Sequence, residues 1–133
     1  MPNAVTDTHA LIWYIEGHPN LSLPAKTTFE DCKTDGGRIF VPTICAVEIV
    51  YLGEKARIRS DLLQSLLAEL AAPDTVLQLV DLDLPIVLAS AKVPRAAVPD
   101  LPDRIIAATA VAFNLPFITR DQLIRGSGVA TIW

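Results

Sequence analysis

Short segments rich in apolar and β-branched residues alternate along this chain with longer segments of helical periodicity. The predicted strands lie at Val5 and at 38–41, 75–80, 116–119 and 129–132. Helices are predicted at 9–15, 24–35, 43–57, 60–72 and 85–92 and from Asp103 onward. Strands that are separated by helices pair in parallel and are covered on both faces. The sequence therefore predicts an α/β fold with a parallel sheet.

The length of the chain and its apolar content predict one domain with an interface. At 133 residues the chain has the size of a single domain, so residues 1–133 are assigned to one unit. Hydrophobic residues make up 51% of the chain, against 20% charged residues, and the mean hydropathy is +0.40. This exceeds what an average soluble domain needs. We therefore expect part of the apolar surface to bind another chain, and the protein to be at least a dimer.

Several classes of protein are disfavoured by the sequence. The longest uncharged stretch, 105–119, contains Asn114 and Pro116 and is shorter than the ~20 apolar residues of a membrane span. The first residues lack the basic and apolar regions of a signal peptide, which predicts a cytoplasmic protein. Two cysteines and two histidines without ligand spacing indicate neither a zinc site nor a disulfide framework.

The net charge of −4 argues against a protein that coats nucleic acid by charge alone. Any contact with nucleic acid has to be local or bridged by cations. Lys55, Arg57 and Arg59 cluster where the third helix ends and are candidates for guiding a phosphate backbone, the alternative being a solvated helix end. Arg104 and Arg120 adjoin two candidate site aspartates, where either can also balance local charge.

Three aspartates lie at the starts of helices. Asp7 and Asp121 directly follow predicted strands, and Asp103 opens a helix behind Pro102. In an open parallel sheet, ligands bind beyond the carboxyl ends of the strands, which places such acids near one site. Each also has a structural explanation, because aspartate is a preferred N-cap and favours the positive end of a helix.

Glu48 differs from the aspartates because it lies inside a helix, among apolar neighbours, where no cap is needed. A buried carboxylate there requires a cation, a proton or a hydrogen-bonding partner, unless the side chain reaches solvent along the helix edge. Several carboxylates at one sheet edge repel one another unless a cation lies between them. Magnesium takes oxygen ligands and binds phosphate oxygens, so this pattern points to a phosphate ester as substrate.

The order of these residues resembles the PIN-domain nucleases and, within them, the VapC-type toxins. The similar segments are Thr6–Trp13, Val41–Glu48, Asp100–Arg104 and Thr119–Asp121. They comprise an aspartate after the first strand, a helical glutamate, an Asp-Arg helix start and a Thr-Arg-Asp turn. The sequence departs from many relatives in having Ala97-Val98, without a histidine, just before Asp100.

The resemblance implies a three-layer sandwich with a central five-stranded parallel sheet. It also implies an endoribonuclease that hydrolyses RNA with water activated by magnesium or manganese, and that serves as the toxin of a toxin–antitoxin pair. The implied partners are RNA, a small antitoxin protein and a second copy of the chain. The implied site consists of Asp7 and Asp103 as metal ligands, Glu48 and Asp121 completing the acidic pocket, hydroxyls of Thr8 and Thr119, and Asp100 fixing a loop.

Two other functions are compatible with parts of this pattern. Phosphotransferases of the haloacid dehalogenase type also place an aspartate after the first strand, but they carry a second aspartate two positions later, where this chain has His9. A binding module of the same fold that does not cut RNA is the second alternative. A receiver domain fits less well, because its acidic pair and late lysine are absent. We interpret His9 as a hydrogen-bonding or packed residue rather than a general base.

Overall fold

Strands and helices alternate along the chain in the computed structural model, which describes residues 2–133. The strands are β1 (Asn3–Thr6), β2 (Arg38–Pro42), β3 (Leu77–Val80), β4 (Phe117–Ile118) and β5 (Thr131–Ile132). The helices are α1 (Thr8–Glu16), α2 (Leu23–Thr34), α3 (Thr43–Glu54), α4 (Leu62–Ala71), α5 (Leu84–Ser90), α6 (Leu101–Phe113) and α7 (Gln122–Arg125). The five strands form one parallel sheet in the order β3-β2-β1-β4-β5. The predicted α/β fold with a five-stranded parallel sheet is confirmed.

The central strands of this sheet are buried on both faces. Ala4 and Val5 are consecutive in β1, Phe117 and Ile118 are consecutive in β4, and all four are fully buried. Because successive side chains of a strand point to opposite faces, both faces of the sheet are covered. The helices therefore form an outer layer on each side, which gives the predicted three-layer arrangement.

The core lies between the sheet and the helices that pack on it. Helix α2 packs on β1 and β2, and α6 packs on β1. Their largest fully buried side chains include Phe29 and Ile106, which meet Phe117 and Ile39 of the sheet within a single apolar cluster. Each such side chain contributes roughly 1.5–3 kcal/mol to folding when buried. This core fixes the strand ends that carry the candidate site.

Glycines and a serine define the boundaries of the first elements. Gly17 ends α1 in the left-handed conformation (φ 62°, ψ 34°), where a side chain would be strained. Ser22 opens α2, and its side chain accepts a hydrogen bond from the Ala25 N–H at 3.2 Å. At Gly37 a Cβ atom would lie 1.7 Å from the carbonyl oxygen of Pro2, so only glycine fits beside the start of β1.

Most predicted helix boundaries differ from the observed ones by one to three residues, and two of these differences concern helices that carry site residues. Helix α3 ends at Glu54 rather than at residue 57, because the chain turns at Ala56, which has a positive φ of 54°. Helix α6 begins at Leu101, two residues before Asp103, since Pro102 is well tolerated in a first helical turn. Asp103 therefore lies within the first turn of α6, and the prediction that it opens the helix is corrected.

The longest helix of residues 2–133 is α6, with 13 residues. At about 1.5 Å per residue it is about 20 Å long, which is less than the ~30 Å of a bilayer's hydrocarbon core. Within the described chain, no helix has the length and apolar character that crossing a membrane requires.

Candidate functional site

Two adjacent strands bring three of the candidate residues to one edge of the sheet. β1 pairs in parallel with β4, with Thr6 opposite Ile118, so both strands end at the same edge. Asp7 follows β1, and its N–H donates a hydrogen bond to the carbonyl of Ile118 at 3.1 Å. Thr119 and Asp121 follow β4 directly. The carboxyl ends of these strands therefore place Asp7, Thr119 and Asp121 together, as the sequence pattern predicts.

A pocket of about 260 Å³ opens at this edge and contains all four predicted carboxylates. We call it the acidic pocket. Two further polar groups implied by the family resemblance, Thr8 and Thr119, also line it, as does Asp100. His9 also lines it, and Ile124, which the sequence did not single out, adds an apolar side chain to the lining. The lining residues are Asp7, Thr8, His9, Glu48, Asp100, Asp103, Thr119, Asp121 and Ile124.

Asp7 and Asp121 cap helices and line the acidic pocket at the same time. Oδ1 of Asp7 accepts a hydrogen bond from the Ala10 N–H at 2.8 Å, at the start of α1. Oδ1 of Asp121 accepts one from the Leu123 N–H at 2.9 Å, at the start of α7. A carboxylate has two oxygens and can accept several hydrogen bonds, so capping and a role in the pocket are compatible.

Glu48 obtains its hydrogen-bonding partner from another helix. The hydroxyl of Thr8, which is buried at the start of α1, donates a hydrogen bond to Oε1 of Glu48 at 2.5 Å. Glu48 is half-buried in the middle of α3 and lines the acidic pocket. Glu48 therefore does not simply extend into solvent along the helix edge, because its carboxylate is bonded to Thr8 and lines the acidic pocket.

Asp103 has the fewest stabilising contacts of the four carboxylates. Its side chain forms no hydrogen bond or salt bridge within residues 2–133, and Asp100, three residues earlier, occupies the N-cap position of α6 also without a capping bond. Burial, and after it the nearby carboxylates of Asp100, Glu48 and Asp121, together raise the pKa of Asp103 to about 7. The protein itself therefore does little to stabilise the ionised form of Asp103.

The pKa of Asp7 is also raised above its ordinary value, chiefly because the carboxyl group is buried. Hydrogen bonds from Thr119 and from the Ala10 N–H act in the opposite direction, and the charge of Asp121 adds to the increase. Two of the four acids thus carry negative charge that their surroundings disfavour. A cation in the pocket would reverse this effect, since an opposite charge nearby favours the ionised form.

The two arginines next to these acids in sequence point elsewhere. Nε of Arg104 donates to the carbonyl oxygens of Ser90 at 3.2 Å and Val93 at 3.0 Å, so Arg104 ties α6 to the end of α5. The guanidinium of Arg120 lies 4.8 Å from the ring centre of Trp13. Arg104 is therefore engaged by backbone carbonyls and does not line the acidic pocket. Within residues 2–133, no salt bridge neutralises any of the four carboxylates.

The donor set of the acidic pocket fits a hydrated hard cation. Among residues 2–133, no group of three or more His, Cys, Asp or Glu side chains is arranged to hold a metal ion by itself. Magnesium does not require such a cage, because it usually keeps several waters and binds through one or two carboxylates. The available donors are oxygens of carboxylates and hydroxyls, without a thiolate or an imidazole cluster, which is the chemistry that magnesium and manganese prefer.

Comparison with known proteins places this chain within a family. Residues 4–125 match the PIN domain. The fold is similar to that of VapBC2 from Rickettsia felis bound to a DNA fragment from its promoter, with a TM-score of 0.73, 16% identity and coverage of 97% of this chain and 96% of the other. It is also similar to DNA-bound VapBC from Salmonella typhimurium, with a TM-score of 0.71, 19% identity and coverage of 98% and 97%.

A third solved structure, FitAcB from Neisseria gonorrhoeae, has a TM-score of 0.64 and 19% identity, with coverage of 96% of this chain and 95% of the other. At these identities the likeness concerns the fold alone. No curated protein matches the chain in sequence. Members of the PIN-domain family are typically nucleases, and these nucleases generally use divalent metal ions. Because the PIN-domain match extends over most of its length, the chain belongs to the PIN-domain family.

Proposed function

We propose that the chain is a metal-dependent endoribonuclease that hydrolyses RNA phosphodiester bonds with water, using magnesium or manganese. The observation that carries this proposal is the acidic pocket, in which Asp7, Glu48, Asp103 and Asp121 converge without a basic partner among residues 2–133. Such a pocket repels a phosphate unless a cation is bound, and a divalent cation attracts both the acids and the phosphate.

Within this proposal, Asp7 and Asp103 are the carboxylates that hold the ion. When bound, a divalent ion polarises the phosphate and lowers the pKa of a water molecule. One oxygen of Glu48 is fixed by Thr8, and one oxygen of Asp121 is fixed by the Leu123 N–H. The other oxygen of each carboxylate has no hydrogen bond within residues 2–133. These oxygens are available to orient the attacking water and to take its proton.

Membership of the PIN-domain family supports this function over the phosphotransferase alternative, because the family match includes the segment around His9 where that alternative expects an aspartate. A module that binds RNA without cutting it has the same fold but no need for four acids in one pocket. The choice between these two functions is made by a cleavage assay.

The direct test is RNA cleavage by the purified full-length chain with magnesium, with manganese and with excess EDTA. We expect cleavage with either metal and none with EDTA. Undiminished cleavage in EDTA would contradict the metal dependence, and binding of RNA without cleavage in either metal would favour the non-cleaving module. Asp83→Asn is a suitable control variant, because Asp83 caps α5 by accepting from the Ile86 N–H at 3.2 Å and lies outside the acidic pocket.

We further propose that the chain is the toxin of a toxin–antitoxin pair. Its fold is similar to the VapBC structures of Rickettsia felis and Salmonella typhimurium. An exposed apolar surface lies on α3 and α4, where Val47, Val50, Tyr51 and Leu67 are 63%, 43%, 54% and 55% exposed. The first three of these lie on the same helix as Glu48. A small protein bound to this surface is therefore close enough to cover the acidic pocket and inhibit the enzyme.

A second exposed apolar surface supports the proposed homodimer. Leu84, Val87 and Leu88 have the i, i+3, i+4 spacing that places them on one face of α5. Large exposed apolar clusters of this kind mark interfaces rather than ordinary surface. The exposed residues of this surface are Leu79, Leu82, Leu84, Val87, Leu88 and Leu101.

These two surfaces are tested separately. Sedimentation of the wild-type chain should show a dimer and that of Leu88→Glu a monomer, whereas Leu23→Glu, which alters an even more exposed leucine on α2, should remain dimeric. The neighbouring reading frame should encode a small DNA-binding protein that copurifies with this chain and inhibits it. A wild-type monomer at high concentration, or the lack of any copurifying partner, would contradict the respective proposal.

A further inference from the structure

A larger cavity adjoins the acidic pocket along one side of α1. It has a volume of about 550 Å³, and we call it the α1 cleft. One wall consists of His9, Ile12, Trp13 and Glu16, whose spacing of three and four residues places them on a single helix face. The opposite wall is the segment 56–59, which follows α3. His9 lines both cavities, so the α1 cleft begins where the acidic pocket ends.

The basic residues near the α1 cleft differ in whether their charged groups already contact another group of the protein. The ammonium of Lys55 lies 4.6 Å from the ring centre of Tyr51. Nε of Arg59 lies 3.4 Å from a carboxylate oxygen of Glu16, which neutralises the one acid in the cleft wall. The side chain of Arg57 forms no salt bridge, hydrogen bond or ring contact within residues 2–133, and it lines the cleft. Arg57 is therefore available to bind an anion.

The remaining wall of the α1 cleft offers aromatic and apolar surface. The ring of the buried Trp13 contacts that of His9 at 5.7 Å and that of His18 at 6.1 Å between centroids. These contacts hold both imidazole rings at the cleft, where the half-buried Ile58 adds aliphatic surface. An exposed ring that is held in place by packing can stack against a planar group of a ligand.

We propose that the α1 cleft binds the RNA nucleotide next to the phosphodiester held in the acidic pocket. In this arrangement Arg57 contacts the phosphate of that nucleotide, and its base packs against the imidazole rings and the apolar wall. The inference rests on the proposed ribonuclease function and adds the residues that bind the strand beside the cut. The cleft volume lies within the ordinary range of ligand sites.

Continuity and charge favour RNA as the occupant of the cleft. A strand whose phosphodiester lies in the acidic pocket has to continue beyond it, and the α1 cleft shares the lining residue His9 with that pocket. Single-stranded RNA is recognised by stacking of its bases and by arginine or lysine on its phosphates. The cleft combines one free guanidinium with ring and aliphatic surface, which matches both needs within a protein whose net charge of −4 otherwise repels RNA.

The test measures the binding of a short fluorescent single-stranded oligoribonucleotide in the presence of magnesium. Cleavage is suppressed by working in an Asp103→Asn background, and Arg57→Gln is added to that background. We expect Arg57→Gln to raise the Kd about five- to tenfold and to reduce the salt dependence of binding by close to one phosphate contact. An oligoribonucleotide without bases should bind about tenfold more weakly than the normal strand and should stay sensitive to Arg57→Gln.

Two variants in the same background serve as matched controls. Lys55→Gln removes a charge two residues away, and Arg38→Gln removes one at the amino end of β2, the opposite edge of the sheet. Both should change the Kd by less than about twofold. If Arg57→Gln behaves like these controls, or if the strand without bases binds equally well, the α1 cleft is not a nucleotide site.

The outcome is distinguishable from failure of the ribonuclease proposal, because cleavage by the wild-type chain is measured alongside. If the wild-type chain cleaves RNA but Arg57→Gln does not change RNA binding, only the proposal for the α1 cleft is overturned. If the wild-type chain neither binds nor cleaves RNA, both the proposed ribonuclease function and the proposal for the α1 cleft are overturned. Unchanged RNA binding together with loss of a copurifying protein in Arg57→Gln identifies the cleft as a protein-docking surface and likewise overturns the proposal.

Discussion

The acidic pocket and the α1 cleft meet at His9, yet they differ in the sign of their charge and in how it is balanced. In the acidic pocket four carboxylates converge, and none of them forms a salt bridge within residues 2–133. In the α1 cleft, Arg59 pairs with Glu16, which leaves Arg57 free. In both regions the candidate ligand-binding groups are the charges that the protein leaves unpaired, whatever the number of charges present.

The two regions also differ in what fixes their side chains. Asp7 and Asp121 are held by the backbone, because each caps a helix directly after a strand of the central sheet. The cleft residues are held by side-chain contacts, such as those of Trp13 with His9 and His18. Substitutions in the acidic pocket should therefore act on metal and chemistry, whereas those in the cleft should act on affinity and salt dependence.

The largest effect is expected for Asp7→Asn. Asparagine caps a helix about as well as aspartate, so the fold should be retained, but one charge that holds the metal is lost. We expect RNA cleavage to fall by on the order of 100-fold or more, as when a group that stabilises developing charge is removed. The measurement is the cleavage rate at saturating magnesium, beside Asp83→Asn, which changes a capping aspartate outside the acidic pocket. Equal rates for wild type and Asp7→Asn would show that the pocket aspartate only caps α1.

Glu48→Gln should have the next largest effect, about 10- to 100-fold on cleavage together with weaker metal affinity. Glutamine keeps the shape of the side chain and can still accept the hydrogen bond of Thr8. Because the pocket acids repel one another without metal, thermal stability in EDTA should be unchanged or slightly higher. Thermal unfolding with and without magnesium measures this, with Glu54→Gln on the same helix as the control. Lower stability in EDTA combined with normal cleavage would make Glu48 a structural residue.

Asp103→Asn should change the pH dependence of stability in the protein without metal. Folding raises the pKa of Asp103 from 3.8 to about 7, so the folded chain binds more protons than the unfolded chain between these values. Stability contributed by this group therefore falls as the pH rises through that window. At about pH 8 in EDTA the variant should unfold a few degrees above wild type, on the order of 1 kcal/mol after allowance for solvent screening, and near pH 4 the difference should vanish. If Asp103→Asn is less stable than wild type at the higher pH, the conclusion that the charge of Asp103 is uncompensated in the pocket is wrong.

The smallest effect is expected for Arg59→Gln in the α1 cleft. Arg59 is half-exposed and already paired with Glu16, so its charge contributes little to an incoming phosphate. We expect the Kd for single-stranded RNA to rise by about twofold or less, clearly below the effect of Arg57→Gln. Fluorescence anisotropy of both variants in the Asp103→Asn background tests this order. If Arg59→Gln weakens binding more than Arg57→Gln does, Arg59 rather than Arg57 contacts the phosphate.

Much of the fold and the composition of the acidic pocket could be predicted from the sequence because the relevant information is local. Asp7 and Asp121 follow apolar strands directly, and parallel strands end at one edge of the sheet. The placement of Glu48 was harder, because it depends on the hydroxyl of Thr8 from another helix, forty residues away. The role of Arg104 could not be predicted, since its side chain bonds the carbonyls of Ser90 and Val93, and no local pattern encodes that choice.

The sequence by itself determined the alternation of strands and helices, the single parallel sheet and the acids at its carboxyl edge, because these follow from periodicity, turn residues and strand order. Only the tertiary structure decided which charges remain unpaired. Lys55, Arg57 and Arg59 lie close together in sequence, but packing brings the carboxylate of Glu16, from α1, to Arg59 and not to Arg57. The physical reason is that the environment of a charge depends on neighbours from distant segments, which meet only when the chain is folded.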